Sequence, residues 1–329
     1  MTVMLAADAL GPATAELLNY LVIGLSNGMI IALIAIGYTM VYGIIELINF
    51  AHGDLCTLGA FLALTLIGAL GMEAWTPSGQ WVGVVFLLVG AAGFCAVLNW
   101  GIDRVAYRPL REKPKLSLLV TAIGCSFILV NLALFWGGIP MEVFGGGNQA
   151  AAPKNFPPLV PANNLLGEGA AVSVTERDLL VAAVTLPLMA ALTWLVRFTR
   201  LGKAMRAVAQ NPTAASLMGI NVDRVIGATF LIGGALGGFA VVVYALYNGS
   251  ISFQMGYRTG MDAFTAAVLG GIGSLPGAVL GGLLIGLVRA LSDGYLEARW
   301  TPSVVFGILI LVLVFRPSGL LGARLREKV

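Results

Sequence analysis

Of the chain's 329 residues, 58% are hydrophobic and 11% charged, where an average soluble domain has roughly 25% charged. With 43 glycines, a net charge of +3 and a mean hydropathy of +0.92, it lacks the polar surface that a soluble enzyme, a nucleic-acid binder or a disordered regulator needs. The composition is that of an all-α, polytopic helical membrane protein, organised as one domain over 1–329. Cys56, Cys95 and Cys125 lie in apolar runs with no CxxC spacing and no adjacent histidine, so they read as packing residues rather than a disulfide framework or zinc site.

A helix crossing a bilayer core needs about 20 apolar residues. Uncharged runs fall near 17–45, 55–72, 81–102, 117–137, 179–196, 225–247, 262–288 and 300–315. The ten-residue alternation of a membrane β-barrel is absent. Residues 1–16 carry Asp8 and Glu16 but no Lys or Arg, and so lack the basic start of a cleaved signal peptide; they are expected to stay on the mature protein.

The first two runs are joined by a polar stretch, Tyr42 to Asp54, that holds the chain's single histidine. One reading makes Glu46, Asn49, His52 and Asp54 the lining of a pathway's inner mouth, with Asn27 and Tyr38 of the first run as further candidates. The other makes the stretch an interfacial turn whose Asn and Asp cap helix ends. No second His or Cys stands at ligand spacing from His52, so no metal site is expected.

Basic residues decide the orientation. Five fall in 103–116, five in 197–224 and four in 316–329, together 14 of 19, so these three stretches are expected in the cytoplasm. The stretches 73–80 and 138–177 are then outside. The latter holds Pro140, Pro153, Pro157, Pro158 and Pro161 and a Gly145-Gly146-Gly147 run, and suggests an ordered outer cap or docking loop.

Within the second basic stretch, Asn211 then Pro212 reads as an N-cap followed by proline in the first turn, and Gly219 fits the position just past a helix end. This predicts two short helices over 200–221 that meet near Asn211. The candidate contact residues are Arg200, Gly202, Lys203, Arg206, Ala207, Asn211, Pro212, Ala214 and Gly219, with apolar Leu217 and Met218 among small alanines. Capped helices suit docking in a groove of a soluble partner; the alternative is an amphipathic helix lying on anionic lipid.

Eight simple crossings from an outer N-terminus would leave the basic tail outside. The run 262–288 resolves this, because Gly270, Gly271, Gly273, Ser274, Pro276 and Gly277 interrupt it. A helix over 262–271 and a second over 277–291 raise the count from eight to nine, with the N-terminus out and the C-terminus in. A weak repeat accompanies the break: 59–68 and 277–286 match at six of ten positions. The chain has no GxxxxGK[ST] phosphate loop, no mid-span run of carboxylates and no Arg-rich voltage sensor, so energy for uphill transport must come from elsewhere.

Three stretches carry a family resemblance: 32–54 (ALIAIGYTMVYGIIELINFAHGD), 202–225 (GKAMRAVAQNPTAASLMGINVDRV) and 263–287 (AFTAAVLGGIGSLPGAVLGGLLIGL). Together they closely resemble the shorter, high-affinity type permease of bacterial branched-chain amino-acid ABC importers, over most of 17–322. The resemblance implies a type II importer: two homologous permeases, two cytoplasmic ATPases that bind ATP and Mg, and a periplasmic amino-acid-binding protein, all at the inner membrane. It implies that this chain is a non-enzymatic translocation subunit without a cofactor of its own. It also implies that 200–221 are the coupling helices, that the binding protein sits near 138–177, and that the broken-helix glycines let helices pack closely and tilt. Relatives of this type also carry urea, short amides or other hydrophobic amino acids. An ion-coupled carrier or a channel is the rival class.

Overall fold

Mean helix hydropathy and capping chemistry together set the elements of the computed structural model, which describes residues 11–45, 49–111, 113–146, 149–167, 169–316 and 318–322. In chain order these are α1 (Pro12–Ile45), α2 (Ala51–Leu70), α3 (Pro77–Ile102), α4 (Lys115–Gly137), α5 (Glu176–Phe198), α6 (Arg200–Gln210), α7 (Pro212–Leu217), α8 (Val222–Asn248), α9 (Met255–Gly270), α10 (Leu275–Tyr295) and α11 (Thr301–Phe315). Seven helices among the described residues are long and apolar enough to cross a membrane; α9 and α11, with 16 and 15 residues, are shorter. Helix starts follow local side-chain chemistry. Thr175 and Asp178 form a reciprocal capping box on α5, and Asn211, Asn221 and Ser274 each accept the backbone N–H three residues on. Beyond α3 the chain widens into a π-helical turn (Asp103–Tyr107) and then tightens into a 3-10 turn (Arg108–Leu110); Asp103 and Tyr107 of the first are buried.

The helix pairings occur twice. α1 packs on α10 and α9, as α8 packs on α3 and α2. Likewise α2 meets α3 and α4, as α9 meets α10 and α11. Exchanging α1–α4 for α8–α11 therefore maps these pairings onto one another, with α5 touching both central helices, α1 and α8; the α10–α11 contact has no equally packed α3–α4 counterpart. The two pairs that map onto themselves, α1–α8 and α2–α9, cross at glycines. A Cβ built on Gly53 would overlap the Gly256 carbonyl and one on Gly256 the Gly53 carbonyl; Gly37 and Gly233 are related the same way, at 3.3 and 3.4 Å. With alternate passes running in opposite directions, α1 and α8 are antiparallel, so the duplication is inverted. This corrects the repeat expected from sequence: 59–68 lies in α2 and 277–286 in α10, which are not counterparts. Apolar low-complexity matching aligned two helices that occupy different places.

Most helices start a few residues earlier than their uncharged runs suggested, α9 the furthest, at Met255, with α2 at Ala51. Near the starts of both, the fold accommodates a carboxylate inside the protein. Ser126 Oγ donates to Asp54 Oδ2 at 2.5 Å, and Arg289 is paired with Asp262. The expected break between α9 and α10 is present. Gly270 packs against the backbone of Gly277, and Gly271 (φ +104°) against Ser318 and Gly322. Leu320 and Leu321 donate their N–H groups to the Leu269 and Gly270 carbonyls at 2.8 and 2.9 Å, satisfying acceptors that the helix end leaves open. Gly273 departs from the expected close helix contact. Nothing lies within 4 Å of its Cβ position, and its φ of +92° is what calls for glycine.

At the opposite end, the Pro-rich segment is ordered and fastened to the bundle. β1 (Lys154–Asn155) pairs antiparallel with β2 (Ser250–Ile251), between α8 and α9. Lys154 is buried, and its Nζ donates to the Phe144 and Gln149 carbonyls at 2.7 and 2.5 Å; burial pushes its ammonium down from the usual lysine range. Phe144 stacks on Phe61 with centroids 5.9 Å apart, and the Asn19 side chain bonds the backbone of Ala171 and Ser173.

The glycine crossings generate a test. Gly53→Leu must move two backbones apart and should destabilise by about 1–3 kcal/mol or more. Gly124→Ala, with nothing within 4 Å, should leave the thermal midpoint of the detergent-solubilised protein unchanged. Equal midpoints for both variants would contradict the close crossing.

Candidate functional site

Three features could carry function: a buried polar junction, the loop of α6 and α7, and a cavity. The junction forms where α1 hands over to α2. Asn49, His52 and Asp54 are 2%, 1% and 2% exposed, so they point into the protein and not towards a headgroup layer. Tyr107 Oη donates to Asn49 Oδ1 at 2.7 Å, an approach that the π-helical turn after α3 makes possible. Asn99 Nδ2 donates to the Phe230 carbonyl at 2.6 Å, tying α3 to α8. His52 sits edge-on to the Tyr38 ring, with centroids 4.8 Å apart, over Gly37 and Gly237. A methyl group on Gly37 would come within 2.6 Å of His52 Nε2, so the absent side chain makes the imidazole's space.

Both His52 nitrogens, Asn49 Nδ2, Asp54 Oδ1, Thr57 Oγ1, Thr39 Oγ1 and Asn99 Oδ1 have no hydrogen-bond partner among the described residues. Each such atom costs about 1–3 kcal/mol, so stability alone does not account for the cluster. The structure thus brings Tyr38, Asn49, His52 and Asp54 together, while Glu46 lies outside the described residues. Neither Asn49 nor Asp54 caps α2: the capping position is Phe50, with no side-chain bond. Among the described residues, no group of three or more His, Cys, Asp or Glu could hold a metal ion.

The loop forms the two short helices expected, with Asn211 Oδ1 accepting the Ala214 N–H at 3.0 Å, Pro212 in the first turn of α7, and Gly219 at φ +82°. α6 is amphipathic. Gly202, Met205 and Val208 are buried, while Arg200, Lys203, Arg206 and Gln210 face out. Gly202 has no room for a side chain because α6 folds back onto the last carbonyls of α5, which Arg206 also engages. Ala207 packs partly against the chain's own core, so α7 and its end supply the free surface: Ala214 is exposed, and Leu217 and Met218 are 84% and 83% exposed. Behind the loop, Asp223 at the start of α8 pairs with Arg108 and Arg111 at 2.6 Å each, and Arg111 also holds Asp103 at 2.5 Å. This network locks the α3 end to the helix that follows the loop.

The cavity, about 330 Å³, opens between α1, α8, α9 and α10. Asn27 lines it, apart from the other pathway candidates, together with Arg289 and Asp293. Neither of these charges was singled out from the sequence, nor was Asp262 behind Arg289. The signal was present, since a charge inside an apolar run usually marks a cavity or a partner.

Comparison with known proteins agrees with this architecture. Residues 20–314 match the family described as branched-chain amino acid transport system, permease component. The chain belongs to this permease family. It is 42% identical to the high-affinity branched-chain amino acid transport system permease protein LivH of Escherichia coli K12, over 93% of this chain and 96% of that protein. It is 41% identical to the corresponding protein BraD of Pseudomonas aeruginosa, over 97% of this chain and all of that protein (100%). Identity to the LivM permease of Escherichia coli K12 is 25%, over 89% and 68% of the two chains. No solved structure matches. As a member of a permease family with seven long apolar helices, the chain is a multi-pass membrane protein and a translocation subunit.

Tyr107→Phe keeps the ring but leaves Asn49 with no side-chain partner from α3's end. It should lower stability by about 1–3 kcal/mol, read as a shift of the unfolding midpoint, and an unshifted midpoint would show that the junction is not under this constraint.

Proposed function

We propose that this chain is the translocation subunit of an ATP-driven importer that moves branched-chain amino acids of the leucine, isoleucine and valine type across the inner membrane. The observation that carries the reading is near-full-length similarity to permeases of that name, joined to an exposed, capped helix pair at 200–217. The partners are a second homologous permease, two cytoplasmic ATPases holding ATP and Mg, and a periplasmic amino-acid-binding protein. The ATPases dock on α7, where Leu217 and Met218 stand free; the binding protein docks near 138–177. Movement of α6 and α7 passes to α8 through the short link at 218–221 and to the α3 end through the Asp223 ion pairs. The N-terminus is outside and the C-terminus cytoplasmic.

Two outcomes are expected. Leu217→Glu with Met218→Glu leaves the fold intact, since both side chains are free, but puts charges into an apolar contact. Leucine uptake should fall at least tenfold and the ATPases should fail to co-purify, because an unpaired buried charge costs several kcal/mol. Full uptake would make this loop a lipid-facing connector. Cysteines at Lys113, Gln210 and Arg316 should all resist a membrane-impermeant thiol reagent in intact cells; labelling at any one would overturn the orientation.

A further inference from the structure

The cavity has two unlike walls. On α1, Ile23, Ile30, Ile31 and Ile34 line it at helical spacing together with Tyr20 and Asn27; Ile23 is exposed, while the other three isoleucines are buried and form the apolar backing of that wall. Facing them on α10 are Arg289 and Asp293, four residues apart and so on one side of the helix. Both residues lie in the last two turns of α10, where Asp293 is exposed. Arg289 is not closed off. Its guanidinium uses Nη1 on Asp262, whose side chain is 12% exposed, while its own is 34% exposed and lines the cavity. A guanidinium has five donors in a planar fork, so most of its capacity is left for a second carboxylate. Asp293 is likewise held but not used up, since Thr301 donates to Oδ1 at 2.5 Å.

A positive donor fork and a carboxylate one helical turn apart match the two ends of an α-amino acid. Arg289 and Asp262 cancel one another, so the surplus charge of the site is that of Asp293, which suits an ammonium. The volume of about 330 Å³ is at the lower end of the roughly 300–1,000 Å³ typical of small-molecule sites. We infer that this cavity is the chain's own subsite for a zwitterionic amino acid, with the carboxylate on Arg289, the ammonium on Asp293 and a branched aliphatic side chain against the isoleucine wall. The inference rests on the proposed function and adds to it a residue-level basis for selectivity: urea and short amides offer neither charge, and a polar side chain would lie against apolar surface.

The test uses the full chain in lipid nanodiscs, with Cys125→Ser removing the partly exposed native thiol and Asn248→Cys placing a reporter at the exposed cavity rim. The rate of alkylation by a maleimide is measured with and without added L-leucine. L-leucine at millimolar concentration should slow the reaction at least fivefold. 4-Methylpentanoate, which lacks the ammonium, and 3-methylbutylamine, which lacks the carboxylate, should not. Arg289→Gln should abolish protection, read as the ratio of that variant's own rates with and without L-leucine. Because Arg289→Gln also strands Asp262, Asp293→Asn is the second variant: it keeps the Arg289–Asp262 pair and should lose protection as well. Protection by L-leucine that survives in both variants, or no protection in the parent chain, overturns the site. Protection by urea or a short amide in place of leucine overturns the site and the proposed solute together. Leucine uptake by the complete importer that is unaffected by Asp293→Asn overturns the site and leaves the proposed function standing.

Discussion

Helices surrounded by lipid gain little from burying apolar side chains against one another, because lipid tails are as apolar as leucine; close backbone packing has to supply the cohesion. In this protein that requirement concentrates at Gly37 against Gly233 and Gly53 against Gly256. At these crossings the four central helices α1, α8, α2 and α9 come within reach of each other's carbonyls. Everything functional is arranged around that centre. The imidazole of His52 occupies the space left open by Gly37 and Gly237, and α3 and α10 flank the centre in equivalent positions through Gly234, Gly238, Gly282 and Gly286.

The inverted duplication explains why two unlike sites stand at related places. α3 packs on α8 as α10 packs on α1, yet α3 carries Asn99 into a closed polar junction and α10 carries Arg289 and Asp293 into an open cavity. One half has been filled with hydrogen-bonding groups and the other left accessible. Such asymmetry within a symmetric frame gives the bundle a direction, because a motion that opens one side need not open the other. The junction also holds several buried polar atoms without protein partners, a state that costs free energy and makes this region readier to rearrange than an apolar core.

Named contacts join the two ends of the bundle. α6 folds back on α5 at Gly202, Asp223 joins α8 to Arg108 and Arg111, and the C-terminal segment seals the end of α9 through Leu320 and Leu321. At the far end, β2 ties the α8–α9 connection to Lys154 of the cap. α8 therefore runs unbroken from the loop to the cap, and α9, which bears Asp262, is held at both of its ends.

Much of this was legible in the sequence because it is local. Runs of apolar residues placed the helices, the Asn211-Pro212 pair and Gly219 placed α6 and α7, and the glycines with Pro276 placed the break before α10, since caps and turns depend on neighbours only a few residues away. What depends on distant packing was not legible. Whether Asp54 and Asp262 end a helix or lie inside one depends on Ser126 and Arg289, which are 72 and 27 residues distant. Which helices are counterparts was misread because apolar, glycine-rich segments resemble one another by composition, and only their contacts distinguish α2 from α10. Asn27 and His52 were both candidates for one pathway; the fold puts the first in a cavity and the second in a closed junction, because neighbouring helices, not the residues themselves, decide what each side chain faces.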